Sequence, residues 1–367
     1  VRRRTRAALL AAALAAAAVA FAALRWGSAA SLALDLAVPA VASRVPSGQP
    51  APSREEVHIG TGDRRALPAD LYRPVRERGA LLLVHGLSPA GRRHPELVRV
   101  ARALARHGQL VLVPHFDGLA AFRLSGREVE DVRAALGHLR ALSRQPPGIA
   151  AFSFGAGPAL LAAAGSPDLR LAASLGGYAD LRNVLVFITT GAHRFGGRRE
   201  TVRHEEYNRW KLLALLADFS PDGEDRARLE AIARRRLANP GDDTGEDEVR
   251  LGAEGQAVLA LVHNRREDAV PGLLAALPAS IGQALDALSP LPVMPRLAGR
   301  LLIAHGAGDE SIPYTESLRL ASAAGPREEA IILESFHHVG PRPWWPSLAH
   351  LRDGGRLVRI AEGLLSP

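Results

Sequence analysis

A chain of 367 residues, 47% hydrophobic and 23% charged, is long enough for a large core and too apolar to be disordered. The formal charge of +8 admits nucleic acid or anionic lipid as a partner, but the cations, arginines with Lys211 the one exception, are interleaved with acids, as in Arg226-Ala-Arg-Leu-Glu230. That is the pattern of solvated helix faces, no nucleic-acid motif accompanies it, and the absence of cysteine excludes disulfides, thiolate metal sites and cysteine nucleophiles.

At the N-terminus, Arg2, Arg3, Arg4 and Arg6 precede an uncharged run from Ala7 to Leu24, closed by Arg25-Trp26. This predicts an export signal or a membrane anchor within residues 1–54. Eighteen residues suffice to span, but twelve are Ala, which inserts weakly, and Ala18-Val-Ala20 suits a signal peptidase. A second apolar stretch, Ala29 to Ala42, extends the membrane-proximal part. Either way the basic flank stays cytoplasmic and the rest crosses. The expected location is the cell membrane with the folded part outside the cytoplasm, or export after cleavage. Pro46 to Arg54 reads as a linker, with the folded part starting near Glu55.

Beyond it, short apolar runs alternate with amphipathic stretches, the mark of an α/β fold with a mostly parallel sheet covered by helices. Glu56–Gly60 and Ala69–Arg73 are expected as leading strands, and Ala80–His85 as a buried central one. A helix is expected over Pro95–His107, then a strand over Leu110–Pro114. Ser125 and Glu128 have capping-box spacing ahead of a helix with a Val129, Val132, Leu136, Leu139 stripe, and Gly148–Phe152 is the next strand. Leu169–Leu175, Arg300–Ala304 and Ala330–Leu333 continue the strands. Between them the rhythm breaks into helical pieces, including Trp210–Ala217 and Asp225–Leu237, with an acidic loop from Asp242 to Glu248. The expected division is 55–180 for the first part of the core, 181–297 for an inserted helical lid and 298–367 for the rest.

Ala151-Phe-Ser153-Phe-Gly155 closes a strand and opens a helix, as a nucleophile elbow does: a Ser on a sharp turn needs small neighbours, and the helix N-terminus favours developing negative charge. Ala151 stands where the pattern G-x-S-x-G has Gly. His85-Gly86-Leu87 follows the central strand, placing the Leu87 amide, with that of Phe154, to hold an oxyanion. Asp309, in the loop after a late strand, is placed to orient a histidine, with Glu310 and Asp180 as rivals. His338 follows the last strand and is the expected general base; His337 beside it is the alternative. The three fall at the ends of different strands in the order Ser, Asp, His.

His85-Gly86, Ala151-Phe-Ser-Phe-Gly155, His305-Gly-Ala-Gly-Asp309 with Ile312-Pro313, and Phe336-His-His338 resemble the motifs of the α/β-hydrolase superfamily of esterases, lipases and peptidases, over the core from about Glu55. The resemblance implies a catalytic triad of Ser153, Asp309 and His338, and a lid from about Leu181. The expected activity is hydrolysis of a carboxylic ester through an acyl-enzyme, with thioester and amide as other acyl bonds. The alternative is a membrane-tethered binding domain that keeps the fold without catalysis. A small-molecule ester is the expected partner, with membrane association through the N-terminal segment. No cofactor or metal is implied, since Asp242 to Glu248 lacks calcium-ligand spacing. Val184–Ile188 and Leu212–Leu216 are apolar enough to line an acyl pocket or to form lid core.

Overall fold

The computed structural model describes residues 27–36, 51–202, 206–326, 328–337 and 348–366. A helix over residues 27–36 (α1) comes first. Strands Ser53–Gly60 (β1), Ala66–Arg73 (β2) and Gly79–Val84 (β3) lead to helix Pro95–Arg106 (α2) and strand Gln109–Pro114 (β4). Helix Gly126–Leu142 (α3), strand Pro147–Phe152 (β5), helix Ala156–Ala163 (α4) and strand Leu171–Leu175 (β6) follow. The chain then leaves the sheet through helix Leu181–Thr190 (α5), a hairpin of Ala192–Phe195 (β7) and Arg198–Thr201 (β8), and helices Glu206–Asp218 (α6) and Gly223–Ala238 (α7). Helices Gly245–Val249 (α8), Ala253–His263 (α9), Val270–Ala275 (α10) and Ala279–Ala287 (α11) precede its return at Arg300–Gly306 (β9). Thr315–Ala324 (α12), Ala330–Leu333 (β10) and Leu348–Leu365 (α13) complete the core.

Eight strands form one sheet in the order β1-β2-β4-β3-β5-β6-β9-β10. Only the β1–β2 and β2–β4 pairs are antiparallel. The parallel centre has helices on both faces, so its strands are mostly apolar, and every residue of β3 is buried. Ala80, Leu82 and Val84 point into one core with α3, α4 and the helices inserted after β6, while Leu81 and Leu83 point into the other with α2 and α13. Each fully buried Leu contributes roughly 1.5–3 kcal/mol. Helix α3 starts at the capping box that the spacing predicts, with Glu128 Oε2 accepting from Ser125 N at 2.7 Å.

The start of the folded part is earlier than Glu55. Ala29, Leu32 and Ala33, at helical spacing on α1, are buried in the same core as α2 and α13. The Asp35 carbonyl accepts from Arg99 at 2.7 Å, and its carboxylate from Arg106 at 3.1 Å. The apolar stretch beginning at Ala29 therefore covers the sheet at least as far as Leu36. The acidic segment is also not simply a loop: residues 245–249 are helical, and Arg235 binds Asp242 at 2.7 Å and Asp247 at 3.0 Å. The basic and apolar segment 2–24 lies outside the described residues. Among those described, no helix is long and apolar enough to cross a membrane.

Candidate active site

Strand β5 sits at the middle of the sheet, paired with β3 on one side and β6 on the other. Its chain leaves the sheet at Phe152 in extended geometry and enters α4 after a three-residue turn, so the reversal falls on Ser153, whose φ is 53°. A positive φ in a non-glycine residue persists only where its surroundings fix it. Here they do. A methyl group at Gly155 would lie 2.2 Å from the His85 carbonyl oxygen, and one at Gly86 would lie 2.8 Å from Ser153 Cβ. The His85-Gly86 loop is thus packed directly onto the turn. Ala151, standing where the pattern has glycine, is fully buried and opposite Val84 and Ser174, so its methyl is part of the core.

His85 organises the adjoining loop. Its Nε2 accepts from Phe116 N at 3.0 Å, which leaves the proton on Nδ1 to be donated to Gly86 O at 2.8 Å. Burial pushes its pKa down to about 4, so the ring is neutral near pH 7. Because C=O and N–H of a trans peptide point in opposite directions, holding Gly86 O turns the Leu87 N–H away from His85. Among the described residues, the Leu87 N–H meets no backbone partner, and the Phe154 N–H meets none outside its own helical turn. Both residues border the same cavity as Ser153.

Asp309 follows β9 and is almost completely buried. Its Oδ1 accepts from the N–H groups of Ser311 at 2.8 Å and Ile312 at 2.9 Å, and its Oδ2 lies 3.2 Å from His305 Nε2. His305 is in turn fixed by Ser317 Oγ at 2.7 Å from Nδ1. This support for Asp309 is not legible beforehand, because Ser317 belongs to the following helix. Asp180 caps α5 by accepting from Arg182 N at 2.8 Å, and Glu310 offers its main-chain oxygen to Asn208 at 3.0 Å.

His337 is half-buried in the wall of the cavity, and its Nδ1 lies 3.1 Å from Gly308 O. If Nδ1 is the donor there, Nε2 is the basic nitrogen of the neutral ring. His338 lies outside the described residues. The cavity, of about 730 Å³, is bordered by Ser153, Leu87, Phe154 and His337, with Ser311 next to Asp309. From the segment after β6, Ile188, Leu212 and Leu215 reach it, while Val184, Leu185, Leu213 and Leu216 are packed inside the core. The same segment brings Tyr207, Asn208 and Lys211, the chain's one lysine, to the wall. Nothing in the sequence singles these three out: they sit in the first turns of α6, among Glu206, Arg209 and Trp210, and carry no motif.

No family model matches the chain, and no curated protein matches it. Among solved structures, the α/β-hydrolase GrgF from Penicillium sp. sh18 superposes with a TM-score of 0.51 at 14% identity, over 85% of this chain and 98% of that one. An esterase domain from a Rhodothermus marinus protein has a TM-score of 0.47 at 16% identity, over 86% of this chain and 97% of that one. A Mycobacterium tuberculosis puromycin-hydrolyzing peptidase has 0.48 at 18% identity, over 86% of this chain but 38% of its own. The sheet order, the turn at Ser153 on its central strand and the superposition on GrgF lead to one conclusion: the chain has the fold of the α/β-hydrolase superfamily.

Proposed function

We propose that the protein is a serine hydrolase that cleaves a carboxylic ester through an acyl-enzyme. The observation that carries this reading is Ser153 itself, held at φ 53° on the turn after the central strand, at the edge of a largely apolar cavity that Leu87 and Phe154 also line. Ser153 Oγ attacks the ester carbonyl and passes its proton to His338, which Asp309 orients. The Leu87 and Phe154 N–H groups hold the oxyanion. His338 then protonates the departing alkoxide, and water, deprotonated by the same imidazole, releases the acid and restores Ser153. An oxyanion donor of this kind is worth on the order of 10²–10³ in rate. The helices after β6 act as a lid over the cavity. The N-terminal apolar segment associates the enzyme with a membrane or exports it.

Hydrolysis of p-nitrophenyl butyrate by wild type, Ser153→Ala, Asp309→Asn, His338→Ala and His337→Ala tests the assignment. Losses on the order of 10⁴-fold or more are expected for Ser153→Ala and His338→Ala. A larger loss in His337→Ala than in His338→Ala assigns the base to His337. Faster cleavage of the matching p-nitroanilide than of the ester replaces the esterase by a peptidase. The competing reading, a binding domain without catalysis, rests on the same apolar cavity and requires a folded wild type that hydrolyses neither.

A further inference from the structure

The cavity straddles the carboxyl edge of the sheet. Phe152 and Phe154, on either side of Ser153, pack into opposite cores, and the wall continues along both. On the side of α2 and α13 it includes Val100, Leu357, Ile360 and, from α1, Leu36. None of the chemistry requires α1, yet the helix is anchored. Leu32 is completely buried, and Asp35, beside Leu36, is held through its carbonyl by Arg99 and through its carboxylate by Arg106. The fastened end is the end that reaches the cavity. Arg99 also binds Glu96 at 2.6 Å, so the charges along this rim are matched to one another.

We propose that α1 is part of the substrate site: its C-terminal end closes the apolar side of the cavity, which takes an extended hydrocarbon chain of the substrate, and Leu36 sets the chain length accepted. The catalytic part of this rests on the serine-hydrolase reading; the binding part does not. A volume of about 730 Å³ lies within the roughly 300–1,000 Å³ of sites for drug-sized ligands, so a butyryl group leaves most of it unfilled. Each additional buried methylene improves binding by roughly fourfold.

The test uses the full chain as wild type, Leu36→Trp and Leu34→Trp. Leu34 is exposed on the same helix and serves as the control for folding and docking. Fluorophosphonates with butyl to dodecyl chains are compared by their rates of labelling Ser153, and decanoate is titrated calorimetrically into the same proteins carrying Ser153→Ala. The wild-type rate is expected to rise with chain length. Leu36→Trp should slow the decyl and dodecyl probes at least tenfold and spare the butyl probe, with Leu34→Trp behaving as wild type. A profile that Leu36→Trp leaves unchanged, or lowers equally at every length, overturns the inference while labelling itself upholds the hydrolase. If no probe labels Ser153, the hydrolase reading falls and decanoate decides: binding lost only with Leu36→Trp upholds the wall, whereas equal binding, or none to wild type, overturns it.

Discussion

Ser153 holds a backbone conformation that costs of order 1–3 kcal/mol, and the surrounding packing leaves it no alternative. That packing is legible in the sequence, because a strained turn demands small residues at fixed offsets. It is also fragile. Since a methyl at Gly155 meets main chain rather than a flexible side chain, Gly155→Ala should destabilise the protein by roughly 3 kcal/mol or more in urea unfolding. The sequence places His85 at the start of the loop after the central strand but not its bond from Phe116 N, which lies on a later loop. With a pKa of about 4 in the folded state against about 6.5 unfolded, its contribution is fully present above pH 6.5 and lost as pH falls toward 4. The wild type should therefore lose about 3 kcal/mol between pH 7 and pH 4 from this group. In His85→Gln that part of the pH dependence should be missing from the urea-unfolding curve.

Elements were readable in proportion to how strongly burial imposes a period on them. The strands of the parallel centre are continuous apolar runs, and α3 announces itself by its cap. The β7–β8 hairpin does not: β8 is exposed along its whole length, and the register comes from Gly196 and Gly197, with φ of 56° and 78°, which suit a two-residue turn. Adjacent glycines between short polar runs were the available signal. In the inserted helices the decisive contacts are polar and distant in sequence. Buried Asp225 on α7 accepts from the N–H groups of Gly252 at 2.7 Å and Gly255 at 2.8 Å at the start of α9. Asp225→Ala orphans both donors at roughly 1–3 kcal/mol each. The expected outcome is a lower unfolding midpoint with Ser153 still reactive in the folded fraction, read by denaturation and by phosphonate labelling.

At the scale of the molecule, the alternation of strands and helices conveys the architecture, and the strand signal at Arg300 coincides with the point where the chain rejoins the sheet. The N-terminal boundary was obscure for a physical reason: an apolar, alanine-rich stretch reads alike whether lipid or a sheet covers it. Leu32, Ala29 and Ala33 pack on the sheet. Leu32→Ala removes a fully buried side chain worth roughly 2–5 kcal/mol, most of which should appear as undocking of α1. Hydrogen exchange of residues 27–36 is expected to quicken at least tenfold, with exchange in β3 and β5 unchanged; equal acceleration throughout would mean that α1 and the core unfold together.

The most direct test of the central claim is chemical. The full chain, treated with a fluorophosphonate and mapped by peptide mass spectrometry, should carry one adduct on Ser153, absent from Ser153→Ala and greatly slowed in His338→Ala. A folded wild type that stays unmodified, or that carries the adduct on another serine, contradicts the serine-hydrolase account.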